Sequence, residues 1–175
     1  MARVPLNRMT LQYNGLFDFD GMYAMLSDWA KNYGYRWHEV EYKHKVPSPT
    51  GAEQEWKWLM TLKVTEYIRY EILITVHSWD LLDVEVETDG QKRHLMNGRL
   101  WMWMDGVIIT DYQEKFSKGG RFGQWLGKTY DKLIRPVETM YWDQLYYRMW
   151  NLHALLKKYF DMQTKKYAYK GYLGE

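Results

Sequence analysis

The residues best suited to chemistry fall in a few places along the 175-residue chain. His77, Asp80 and Asp83 lie within seven positions of one another, where an imidazole base with an orienting carboxylate could be assembled. No nucleophile motif accompanies them: the sequence has no nucleophile elbow, glycine-rich phosphate loop, HExxH or calcium loop. His38 and His44 tempt a metal reading, because period two would put them on one strand face with Val40 and Tyr42. Six strand residues span about 20 Å, too far for both to ligate one ion. Asp18 and Asp20 stand before a helical stripe, where a carboxylate beside free N–H groups is favourable without any catalytic role. No catalytic residue, metal ligand or cofactor is therefore assigned, and binding or assembly is expected ahead of enzyme activity.

Aromatic residues make up 18% of the chain, including ten Trp and sixteen Tyr, and so many rings must be buried, stacked or bound to something. An Asp105-Gly106 turn would set Met104 opposite Val107, Trp103 opposite Ile108, Met102 opposite Ile109 and Trp101 opposite Thr110. One face would then carry Leu100, Met102, Met104, Val107 and Ile109, and the other Trp101, Trp103, Ile108 and Tyr112. A hairpin apolar on both faces needs cover on both, from helices, another subunit or a ligand. Trp101, Trp103, Ile108 and Tyr112 are accordingly interface candidates, with Tyr167, Tyr169 and Tyr172 of the final segment. Lys165, Lys166 and Lys170 interleave with those tyrosines, a pattern that could meet phosphates while rings stack on bases; a solvated or protein-docked tail is the competing account.

The elements that would position these residues follow from periodicity. Met9, Leu11 and Tyr13 alternate with polar neighbours as in a half-buried strand. Met22, Met25, Leu26, Trp29 and Tyr33 form a helical stripe that Asp18 or Asp20 can cap and Gly34 ends. From Tyr35 to Gln113 the period is two, cut by turn signals at 46–51, Asp89-Gly90, Asn97-Gly98 and Asp105-Gly106, which predicts a meander of five or six strands. Trp56, Trp58, Met60, Leu62 and Val64 share one face, as do Ile68, Tyr70, Ile72, Ile74 and Val76. The Asp89-Gly90 turn predicts Glu87 opposite Lys92 and Glu85 opposite His94. The polar, glycine-rich stretch Gln113 to Gly123 breaks the pattern before a helix from about Phe122 to Ile134, which Pro136 ends or kinks. A second helix over Val137 to about Gln163 carries Trp142, Leu145, Met149, Leu152, Leu156 and Tyr159 at 3-4-3-4-3 spacing along about 40 Å.

The expected fold class is α+β: one antiparallel, curved sheet of six to seven strands, an N-terminal helix and a long C-terminal helix. It occupies residues 1–163, with 164–175 a basic, aromatic tail. This element order resembles the START-like helix-grip fold, in which a curved sheet wraps the C-terminal helix and often leaves an apolar cavity between them. That resemblance implies a binding domain for a hydrophobic small molecule, and Trp56, Trp58, Tyr70, Trp142 and Met149 are the wall residues it suggests. The strings FDFDGMY (Phe17 to Tyr23) and YRWHEVEYKHK (Tyr35 to Lys45) resemble those of small archaeal proteins with no assigned activity.

A net charge of +2 gives no whole-molecule field for nucleic acid, so self-association or another protein partner is expected first, an apolar small molecule second and RNA contact through the tail third. The absence of cysteine removes disulfides and thiolate chemistry. Without a signal-peptide core or a membrane-length apolar run, a cytoplasmic location is expected.

Overall fold

A computed structural model describes residues 2–48, 51–88, 91–114 and 120–162, with side chains left out at 46–48, 88, 91, 93 and 120–138. Uninterrupted alternation gives long strands. β5 (Ile68–Thr88) turns Ile68, Tyr70, Ile72, Ile74 and Val76 to one side, all but free of solvent, as their shared period predicts. β4 (Gly51–Lys63) does the same with Trp56, Trp58 and Met60. β3 (Arg36–Ser48) pairs with β4 at one edge, and β6 (Gln91–Thr110) pairs with β5 on the other side. The N-terminal strands β1 (Ala2–Pro5) and β2 (Met9–Phe17) both lie antiparallel to β6, completing a six-stranded sheet. The α+β class is as expected; the meander itself has four long strands where five or six were predicted.

The difference lies in β6. Thr88 faces Gln91, Glu87 faces Lys92 and Glu85 faces His94, as the Asp89-Gly90 turn requires, but neither Asn97-Gly98 nor Asp105-Gly106 turns the chain. Leu73 pairs with Asp105 and Ile72 with Gly106, and on the other side Met104 pairs with Met9. A strand with partners on both sides keeps two ladders of hydrogen bonds, which outweigh a dipeptide's local turn preference. The glycines serve close approach instead. A Cβ on Gly98 would meet the Trp79 carbonyl oxygen at 3.0 Å, where β5 bulges between Trp79 and Leu82 with Asp80 at φ 55°. A Cβ on Gly106 would sit 2.3 Å from Met149 Sδ.

Running straight through, β6 also corrects the expected faces. Leu100, Met102, Met104 and Ile108 point into the core, so Ile108 leaves the Trp101 and Trp103 face on which the hairpin had put it. Ile109 is fully buried outside the core cluster, between Arg3 of β1 and Arg69 of β5 in the ladder.

β3 contains a second correction. Glu39 pairs with Trp58 and Glu41 with Lys57, so Val40 is the extra residue of a bulge. A bulge reverses the side-chain parity beyond it. His38 opposes Leu59 and His44 opposes Gln54, which places the two histidines on opposite faces of the sheet and not together. The bulge and the exposed Lys43 and Lys45 also blunt this edge strand against pairing with another chain.

The helices cover the inner face. α1 (Phe19–Asn32) is capped by Asp18, whose Oδ1 accepts from the Gly21 N–H at 2.9 Å, and buries Met22, Leu26, Trp29 and Ala30. Gly34, at φ +76°, ends it as predicted: its N–H donates to Lys31 O while Tyr35 N–H donates to Ala30 O. α2 (Gly120–Tyr159) is one continuous helix and not two separated at Pro136. Proline removes a single helical bond and its φ suits a helix, so it need not end one. Leu145, Met149, Leu152 and Leu156 form the buried stripe of α2, each contributing about 1.5–3 kcal/mol by leaving water.

Candidate functional site

The described residues that could do chemistry are mostly engaged elsewhere. His77 Nε2 lies 2.8 Å from Glu53 Oε1 and its ring stacks on Trp79 at 3.9 Å, whereas Asp80 binds the Arg99 guanidinium at 2.6 and 2.9 Å. Asp83 lines a separate cleft with His44, Gln54 and Leu82, so His77, Asp80 and Asp83 do not assemble. In that cleft His44 Nδ1 is already bonded to Gln54 at 2.9 Å, and no aromatic side chain lines it. Among the described residues no group of three His, Asp or Glu could hold a metal ion.

Among the described residues, a cleft at the start of α1 has a volume of about 330 Å³. Three elements make it. Phe19 and Tyr23, one turn apart on α1, face it while Met22 and Leu26 on the adjacent side of the helix are buried. Trp56 and Trp58, two apart on β4, form its floor. Glu39 and Tyr42 come from β3, opposite Trp58 and Trp56 respectively. An odd and an even position share this inner face because the Val40 bulge intervenes. The rings support one another: Phe19 to Trp56 is 4.6 Å between centroids, Tyr23 to Trp58 is 5.5 Å edge-on, and Tyr42 stacks on Trp56 at 5.9 Å.

The polar groups here are acidic. Asp20 and Glu39 line the cleft, Glu41 adjoins it but, opposite Lys57, turns its carboxylate to the other face, and among the described residues no Lys, Arg or His lines it. Glu41 is held by Lys43 at 2.8 Å and by Lys57, and these bonds keep its carboxyl below the usual carboxylate range. Glu39 accepts the Tyr23 hydroxyl, which, with burial, raises the tyrosine pKa. Asp20 makes no ion pair and no side-chain hydrogen bond among the described residues, so its charge is uncompensated beyond the helix terminus it adjoins. Such a site can hold and orient a ligand.

The remaining sequence candidates divide clearly. Of the five cavity residues, Trp56 and Trp58 line this cleft, whereas Tyr70 and Met149 are packed in the core and Trp142 is half-buried against Tyr146. The Tyr70 hydroxyl donates to Tyr141 O at 2.8 Å, tying β5 to α2. Trp101, 42% exposed, forms an outward-facing edge-to-face row with Trp79 and Trp103, at 5.4 and 6.0 Å. Tyr112 lies past the end of β6, beneath Lys63 and Arg69. Tyr167, Tyr169, Tyr172, Lys165, Lys166 and Lys170 lie outside the described residues. Sequence reasoning missed the cleft itself; the i, i+4 pair Phe19 and Tyr23 was visible, but the bulge that brings Glu39 and Tyr42 beside it has no simple sequence signal.

No protein-family model matches the chain, and comparison with curated proteins finds no match. Among the described residues no helix is long and apolar enough to cross a membrane.

Proposed function

We propose that the chain is a ligand-binding domain that seats a small organic molecule in the cleft between α1 and the β3–β4 edge of the sheet. The observation that carries this reading is a cleft of about 330 Å³, within the range of small-molecule sites, walled by five aromatic side chains from three elements. The resemblance to helix-grip domains supports a binding role, although there the cavity lies against the C-terminal helix and here the cleft lies at α1.

A screen of small aromatic and amine fragments by two-dimensional NMR tests it. Bound fragments should shift the resonances of Phe19, Tyr23 and Tyr42, and Tyr42→Ala should weaken them about tenfold without unfolding, since Tyr42 is 59% exposed. A screen in which no fragment perturbs these residues would refute the proposal.

The outward row of Trp79, Trp101 and Trp103 favours a second reading, self-association through the outer face of β5 and β6. Light scattering at two protein concentrations would then show an oligomer that Trp101→Ser/Trp103→Ser abolishes. A monomer at both concentrations would remove this reading.

A further inference from the structure

We infer that the ligand of the α1 cleft is an organic cation, an alkylated ammonium headgroup held against aromatic faces; the inference rests on the binding role proposed above and names the chemistry of its ligand. Two independent features converge. The first is the wall: Phe19, Tyr23 and Tyr42 present rings whose faces carry negative charge density to a cation, backed by the buried Trp56 and Trp58. The second is charge: the carboxylates of Asp20 and Glu39 line the same volume with no basic side chain among the described residues, while Glu41, opposite Lys57, turns its carboxylate to the other face of the sheet.

Each alternative ligand class fares worse. A wholly apolar ligand would strip water from Asp20 and Glu39 and return nothing to them, which is unfavourable for ionised groups. An anion would face the like charges of Asp20 and Glu39 at short range. A compact, strongly hydrated ammonium gains least from rings, while an alkylated one spreads its charge over methyl groups that also fill apolar space. Asp20 is placed to balance that charge, since Glu41 is already neutralised by Lys43 and Lys57. Glu39 offers its second oxygen, the first accepting the Tyr23 hydroxyl.

The same headgroup could come from a free small molecule or from a methylated lysine side chain, and one set of titrations separates them. Choline and its neutral isostere 3,3-dimethyl-1-butanol are titrated into the wild-type protein by calorimetry and NMR, followed by a short peptide with one trimethyl-lysine and the same peptide unmodified. Choline should bind at least about tenfold more tightly than the isostere, and Asp20→Asn/Glu39→Gln should remove most of that difference. A trimethyl-lysine peptide that displaces choline and binds more tightly assigns the headgroup to a protein side chain; choline binding without peptide binding assigns it to a free molecule. Equal affinity for choline and the isostere overturns the cation while leaving the cleft a binding site. So does a failure of both probes in a protein whose cleft still binds neutral aromatic fragments. If no compound of any kind perturbs the cleft, the binding role falls as well.

Discussion

Replacing Gly106 with alanine tests how β6 and α2 meet. The new Cβ would stand 2.3 Å from Met149 Sδ, 3.3 Å from Met149 Cε and 3.6 Å from Leu6 Cβ. Ordinary contacts begin near 3.5 Å, so the Met149 sulfur must retreat by about 1.2 Å inside a core where it has no exposed surface. Overpacking of this kind costs about 1–3 kcal/mol. Against it, alanine restricts the unfolded chain more than glycine does, which returns about 0.4–1 kcal/mol because Gly106 does not need positive φ. The balance is a loss of up to about 2.6 kcal/mol, a fall in Tm of up to roughly 10 °C for a chain of this length. Urea unfolding followed by tryptophan fluorescence would measure it. Met149→Ala alone should cost about 2–5 kcal/mol, and adding Gly106→Ala to it should cost nothing or stabilise, because the space is then free. An equal effect of Gly106→Ala in the wild-type and Met149→Ala backgrounds would refute the close approach of α2 to β6.

Asp18→Ala removes the cap of α1 and should cost about 1 kcal/mol by thermal unfolding, and it should weaken any ligand of the cleft because Phe19 and Tyr23 lie on that first turn. Tyr159, whose hydroxyl donates to Asp18 O at 2.7 Å, is pushed up to about 12 by burial and by the nearby Asp18 and Asp20. Between its ordinary value of 10.0 and about 12 the folded state keeps a proton that the unfolded chain has lost, so stability should fall as pH rises through that window, and less so in Tyr159→Phe. His153 behaves in the opposite sense: burial lowers its pKa, aided by Lys157, although Nε2 lies 3.2 Å from Thr10 O. The unfolded chain therefore takes up the proton first as pH drops below 6.5, and wild type should lose stability there more steeply than His153→Gln; equal pH slopes would contradict this.

Periodicity exposed those parts of the fold where one physical term dominates. The inward rows of β4 and β5 and the buried stripe of α2 are set by burial alone, and each is found where the spacing put it. The register flanking residues 89–90, Thr88 opposite Gln91, is the one the turn signal predicted, whereas the signals at Asn97-Gly98 and Asp105-Gly106 fail because pairing with β2, β1 and β5 decides there. The four-residue β1 was not legible, because its exposed side chains carry no hydrophobic pattern. Trp56 and Trp58 were identified as candidate wall residues, but Glu39, Tyr42 and Asp20 join them only through a bulge and a helix start that sit far from β4 in sequence. Parity, the quantity from which strand faces are inferred, fails at the very residue that builds the cleft.

The pairing of β1 and β2 with β6 has a consequence for how the protein is made. Ala2 pairs opposite Thr110, and Phe17 opposite Met96, so β1 cannot find its partner until more than a hundred residues have followed and β2 until about eighty have. At ordinary translation speeds that is a wait of roughly 5–20 s, during which two unpaired strands and the apolar side of α1 stay open to other chains. α2, which seals the same core, is made later still. Elements from both ends of the described fold complete one interior, so what is made early stays uncovered until β6 and α2 have followed.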